Sequence, residues 1–289
     1  MAMQAEPQAP RWDPLIPPEM ALKAEEVGVA KAALGWHSTL ALAFLAGAFI
    51  ALGGIFSATV MAGAGGASWG LVRLAGGVAF SLGLILVVVA GAELFTGNNL
   101  IVMAWASRRV STARLLRNWG LVYAGNFAGA LATAFLVWLS GQYLMGSGEV
   151  GRVLLEGARL KCSHGFVQAL ALGALCNVLV CLAVWLCFSA RTTTDKILCV
   201  IFPISAFVAS GFEHSVANMF LIPLALFIKA GAPAHFWAAL GAGPQSYAAL
   251  GWDGFLWANL LPVTLGNVLG GSVMVGLVYW FIYIRKRPA

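Results

Sequence analysis

Residues 91–98 read GAELFTGN, and residues 211–218 read GFEHSVAN. Both follow the pattern G-x-E-x-x-x-x-N, which sets Gly91, Glu93 and Asn98 in register with Gly211, Glu213 and Asn218. A second pair matches in the same order. NWGLVYAGNFAG at 118–129 and NLLPVTLGNVLG at 259–270 share residues at 118/259, 122/263, 125/266, 126/267 and 129/270. A weaker echo joins AGAFIAL (46–52) to LGALCNV (172–178). One match is chance, but two long ones in one order indicate a duplicated unit.

Composition says what is duplicated. The chain is 61% hydrophobic and 10% charged, whereas soluble domains carry about 25% charged residues. A membrane-spanning helix needs about 20 apolar residues, and six stretches qualify: 38–63, 69–108, 113–141, 163–190, 196–228 and 254–284. The Glu motifs interrupt the second and fifth. Three spans per unit require the second copy to be inserted upside down, and such inverted repeats carry a substrate path at their interface, lined by discontinuous helices. The expected fold is therefore all-α, with six transmembrane helices in two inverted three-helix repeats, the second and fifth broken. Irregular backbone at that depth must be buried in protein or line a cavity.

The first 36 residues have no basic start followed by an apolar core, so they read as mature chain. Met20–Leu34 reads as an amphipathic helix at the membrane surface, with Lys23, Glu25, Glu26 and Lys31 on its polar side. The chain thus divides into a cytoplasmic amino-terminal segment, 1–36, and a transmembrane domain, 37–289. Basic residues favour the cytoplasmic side, and Arg108, Arg109, Arg114, Arg117, Arg191, Lys196, Arg285, Lys286 and Arg287 all fall there if both termini are cytoplasmic. The net charge of +6 then reflects topology and argues against a nucleic-acid partner. Seven tryptophans, Trp119 and Trp237 among them, lie near predicted span ends and read as interfacial anchors. The five cysteines lie in or beside apolar runs with no C-x-x-C and read as small buried hydrophobes. No metal or cofactor is indicated.

Ionisable groups at membrane depth are costly, roughly 2.5–3.5 kcal/mol on insertion scales, and usually functional. Glu93 and Glu213, with Asn98 and Asn218, are expected to stabilise the two breaks by accepting hydrogen bonds from freed backbone N–H groups. His214 differs, because its repeat position, 94, is Leu. Symmetry does not demand a histidine there, and function explains it better.

The stretches GAELFTGNNLIV (91–102), ALCNVLVCLAVW (174–185), FVASGFEHSVANMFLIPLAL (207–226) and LPVTLGNVLGG (261–271) resemble the formate/nitrite transporter family, most nearly its bacterial formate channels. The resemblance implies an aquaporin-like fold in the bacterial inner membrane, a homopentamer in the lipid bilayer, and one anion pore per protomer, with formate as the leading substrate. It places His214 in a central vestibule, with Thr96 reaching it. The cytoplasmic constriction falls on Leu84, Leu94 and neighbouring Phe95, and the periplasmic one on Phe80 and Phe207. Asn177 becomes a polar slit residue, Lys161 the basic group at the outer mouth, and Lys31 part of a gating helix. Asn126 and Asn267 are expected to pack helices. The T-G-N-N after Phe95 departs from the T-S-T of some formate channels, which keeps nitrite, hydrosulfide and acetate in play.

A small anion crosses apolar rings only if its charge is offset. Two features reduce the cost: half-helix amino termini near Asn98 and Ser215 aim partial positive charge toward the centre, and Lys161 attracts anions at the outer mouth. His214 then acts either as a proton relay, since burial raises a carboxyl pKa and lowers that of histidine, or as a fixed hydrogen-bond donor. Other classes fit less well. Haem ligation needs paired histidines at one depth, and His37, His164 and His235 lie near span edges. A water or glycerol channel would not need His214 or Lys161, and no Asn-Pro-Ala occurs at either break. Active coupled transport remains the third option.

Overall fold

The computed structural model describes residues 13–285; residues 1–12 of the amino-terminal segment and Lys286 and Arg287 of the tail lie outside the described residues. Helix α1, Pro17–Ala33, starts with proline in its first turn, where no N–H partner is needed. Its buried side includes Met20, Ala21, Ala24 and Ala32. The same side buries Glu25, which pairs with Arg109 at 3.0 Å.

Helix α2, Trp36–Met61, has 26 residues, about 39 Å at 1.5 Å per residue. It crosses an apolar layer of ~30 Å. Helix α3, Trp69–Ile85, runs on into a π-helical turn, Leu86–Gly91. The chain is then extended over 92–94 before the short α4, Phe95–Asn98, a 3-10 turn, and α5, Val102–Ala106. Helix α6, Thr112–Leu139, completes the first unit, its start capped by Ser111.

The second unit repeats this order. Helix α7, Glu149–Cys162, corresponds to α1, and α8, Phe166–Ser189, to α2. Helix α9, Thr193–Ala209, ends at a break over 210–214, and α10, Ser215–Gly231, begins there. A further bend of 109° leads into α11, Ala234–Leu240. The last span, Gly254–Tyr283, contains α12, Leu261–Val268, and α13, Val278–Tyr283, separated by π-helical turns.

Among the described residues, five helices are each long and apolar enough to cross a membrane. The sixth crossing is shared by α9 and α10. Lys196, near the start of α9, lines a cavity with residues of α1, while Lys229, near the end of α10, donates to the carbonyl of Leu250 at 2.7 Å on the α7 side. The second and fifth spans are therefore broken, as the motifs require. The repeating unit is larger than three helices, because α1 and α7 are also related.

Helices α2 and α6 pack along one another, as do α8 and α12, and α3 packs along α9. The first two contacts are tight where the sequence repeats. A Cβ on Gly129 would overlap the carbonyl of Phe44, and one on Gly270 the carbonyl of Ala174. Each break turns on a glycine in the left-handed region, Gly91 at φ 85° and Gly211 at φ 73°, where other residues are strained.

Candidate functional site

Both breaks are held by the same side-chain scaffold. In the first, Lys31 of α1 donates to Glu93 Oε1 at 2.7 Å. Asn98 donates to Glu93 Oε2 at 2.6 Å and to Asn118 Oδ1 at 3.0 Å, and Asn118 donates to the carbonyl of Lys31. In the second, Lys161 of α7 donates to Glu213 Oε1 at 2.8 Å. Asn218 donates to Glu213 Oε2 and to Asn259 Oδ1, each at 2.7 Å, and Asn259 donates to the carbonyl of Lys161. Each carboxylate is thus paired and hydrogen-bonded, the condition under which a buried charge is tolerated.

The freed backbone groups are satisfied by a different pair. Asn126 accepts from the N–H of Phe95 and donates to the carbonyls of Ala43 and Glu93. Asn267 accepts from the N–H of Ser215 and donates to the carbonyls of Gly173 and Glu213. One expectation is corrected: the glutamates accept from side chains rather than from freed N–H groups. Asn126 and Asn267 join helices, through the carbonyls of Ala43 on α2 and Gly173 on α8, and in addition pin the loops. The carboxamide suits that place because it offers one acceptor and two donors.

Two cavities enter the protein from opposite sides. The α7-side cavity, about 510 Å³, is lined in part by Phe80, Phe207, His214, Glu213 and Lys161. The α1-side cavity, about 420 Å³, is lined in part by Leu84, Leu94, Glu93, Lys31 and Asn98. No residue lines both. Phe80 and Leu84 lie one turn apart on α3, so the septum is about 6 Å deep there. The rings of Phe80 and Phe207 meet edge-on at 5.5 Å, and Phe207 stacks on His214 at 5.9 Å.

Within this apolar septum lies one polar contact between the two breaks: His214 Nε2 and Thr96 Oγ1, 3.0 Å apart and fully buried. His214 Nδ1 accepts from the N–H of Ala217 at 3.1 Å and so caps α10. In the neutral ring the proton therefore sits on Nε2 and is donated to Thr96.

The pattern that defines formate/nitrite transporters matches residues 18–281. The chain belongs to the formate/nitrite transporter family. The formate channel FocA of Escherichia coli (strain K12) is 46% identical over 276 residues, spanning 96% of this chain and 97% of its own. A probable formate transporter of Methanothermobacter thermautotrophicus is 36% identical, over 89% of this chain and 92% of its own. Among solved structures, a pentameric formate channel with formate bound superposes with a TM-score of 0.83 at 46% identity, covering 86% of this chain and 98% of its own. The protein is a multi-pass protein of the bacterial inner membrane, and a transporter rather than an enzyme.

As a family member, the chain brings several of the residues singled out by sequence together at the septum: Phe80, Leu84, Leu94, Thr96, Phe207 and His214. Phe95 lines neither cavity; its ring packs edge-on against Tyr123 and Trp119 of α6. Asn177 is fully buried behind the septum, donating to Asn99 Oδ1 at 2.8 Å and to the carbonyl of Asn267 at 2.6 Å. It also lies 3.3 Å from the carbonyl of Thr96. The first half-helix begins at Phe95, three residues before the expected position. Trp119 is no interfacial anchor, because its ring N–H donates to the carbonyl of Asn98 at 3.0 Å. Trp237 is buried as well.

Asn118 and Asn259 matched in the repeat but were not read as loop residues. The kinship of Lys31 and Lys161 was also missed, although a signal existed. Each is followed four residues later by the glycine, Gly35 or Gly165, that precedes a long helix.

Proposed function

We propose that the protein is a formate channel that assembles as a homopentamer, each protomer conducting through its own septum, with the α1 side and both termini in the cytoplasm. Support comes from formate relatives that align over nearly the whole chain. The observation that carries the reading is the His214–Thr96 contact inside a ring of Phe80, Phe207, Leu84 and Leu94. An anion that must shed water at an apolar ring needs a donor there or a proton.

The Phe80–Phe207 pair acts as the periplasmic constriction and Leu84–Leu94 as the cytoplasmic one, with Phe95 backing the second. Asn177 holds the Thr96 loop in place. Lys161 draws anions to the outer mouth, although its charge is shared with Glu213. Lys31 links α1 to the first break, so a shift of α1 at low pH would carry Glu93 with it and gate the path.

Proton-coupled passage follows from the two ring nitrogens. A proton taken up at Nδ1 displaces the N–H of Ala217, a cap worth about 1 kcal/mol. The Nε2 proton then passes through the Thr96 hydroxyl to formate, and formic acid, now neutral, crosses the leucine ring. Glu93, Glu213, Asn98 and Asn218 hold the two loops while this occurs.

Flux into proteoliposomes tests the substrate. Formate is expected to exceed nitrite, hydrosulfide and acetate, and glycerol is expected to remain at background. Nitrite or hydrosulfide exceeding formate would assign the protein to another branch of the family. Glycerol flux would place it among neutral-solute channels.

A further inference from the structure

Among the described residues, six lysines and arginines line the two cavities, and five of them are committed to protein acceptors. On the α7 side, Arg152 pairs with Glu149, Arg159 with Glu156, and Lys161 with Glu213. Arg73 donates to the carbonyls of Val208 and Ala209, at the end of α9. On the α1 side, Lys31 pairs with Glu93. Lys196 is the exception. It is half-buried, lines the α1-side cavity, and its ammonium has neither an acidic partner nor a hydrogen-bond acceptor among the described residues. The neighbouring carboxylate, Asp195, is occupied by the N–H groups of Arg191 and Thr192.

This gives the α1-side cavity an unusual charge balance. Among the described residues its only lining carboxylate is Glu93, and Lys31 neutralises it at 2.7 Å. Among the described side chains lining this cavity, the uncompensated positive charge therefore rests on Lys196. A lysine ammonium is a compact point charge with three rotatable donors, suited to a small monovalent anion of any orientation. An uncommitted cation in a concave, low-dielectric wall raises the local concentration of such anions.

We infer that Lys196 is the anion-capture residue of the α1-side mouth, loading small monovalent anions toward Leu84 and Leu94. The inference rests on the reading of the septum as an anion path and adds a residue to it. Lys196 holds the anion only electrostatically, through water or directly, and hands it on toward Gly97 and Leu94 on the same cavity wall.

Flux of labelled formate through proteoliposomes of uncharged lipid, sorted for one direction of insertion, tests this with sodium formate as the only salt; tracer counts formate whether it crosses as the anion or as the neutral acid. In about 50 mM formate, Lys196→Gln is expected to lower the flux entering from the α1 side about fivefold, the scale of one charge a few ångströms away in water. Flux entering from the other side should fall less, so the variant is directionally biased. At about 1 M formate, where screening acts over roughly 3 Å, the variant should approach wild type. Lys196→Arg should keep the wild-type flux. Equal fluxes in wild type and Lys196→Gln at about 50 mM overturn the inference, as does a loss that persists at about 1 M or affects both directions equally. If wild type itself passes no formate, the anion path fails and not merely the role of Lys196.

Discussion

At the first break Lys31, Glu93, Asn98 and Asn118 form a closed set of bonds, and at the second Lys161, Glu213, Asn218 and Asn259 form the corresponding set with one more, from Asn259 to Glu213 Oε2 at 3.1 Å. The residues between them do not match. Leu94 stands where His214 does, and Thr96 where Val216 does; Phe80 corresponds to Val200. The two repeats therefore share what holds the backbone open and differ in what faces the path. A buried carboxylate with a lysine partner marks structure in this protein, whereas a break in the repeat marks chemistry.

Removing the shared scaffold should have the largest effect, and the same effect at both breaks. Glu93→Ala and Glu213→Ala each leave a lysine and an asparagine without their acceptor, a change of the kind that costs about 3–5 kcal/mol. Thermal unfolding in detergent should show the two variants within about 1 kcal/mol of each other. A much larger difference would mean that the two breaks are not equivalent supports.

Exchanging the residues that differ should affect flux more than folding. His214→Leu, which copies the first repeat, loses the Ala217 cap at about 1 kcal/mol and should reduce formate flux at least tenfold. Unfolding of His214→Leu as severe as that of Glu213→Ala would show His214 to be part of the scaffold. Thr96→Val, which copies the second repeat, removes one hydrogen bond, a net change of about 1 kcal/mol. It should lower flux about fivefold with little loss of stability, and Thr96→Ser should restore most of it. Equal flux in the valine and serine variants would exclude the hydroxyl.

The smallest effect lies on α7, outside the breaks. The hydrogen bond from Arg152 holds the Glu149 carboxyl below its usual range, against a smaller opposing effect of burial. Its stabilisation is present above the unfolded carboxyl pKa of about 4.3 and is lost as pH falls through the lower folded value. Because the pair is solvent-screened, Glu149→Gln should change stability by about 0.5 kcal/mol or less at pH 7. A larger loss would indicate that α7 is a support comparable to the breaks.

Much of this was legible in the sequence, because duplication and membrane depth both leave strong patterns. Apolar length placed six spans, and Gly91 and Gly211 marked the left-handed turns. The asymmetry between Leu94 and His214 singled out the septum before any contact was known. Partners were harder to read. Asn126 and Asn267 lie on helices remote in sequence from the loops they cap, and no spacing rule states which backbone N–H a carboxamide will meet. Lys31 and Lys161 were read separately because the surface helices that carry them have no apolar span to reveal the repeat.

Formate uptake into proteoliposomes between pH 5 and 8, wild type against His214→Asn, tests most directly whether the septum protonates its anion. Asparagine keeps a hydrogen-bonding side chain beside Thr96 but cannot take up a proton near neutral pH. If His214 supplies the proton, wild-type uptake depends on pH and the variant loses that dependence. Chloride, which is not protonated, should then pass the variant at least as well as wild type. Formate uptake by the variant with unchanged rate and pH profile would contradict proton transfer at His214.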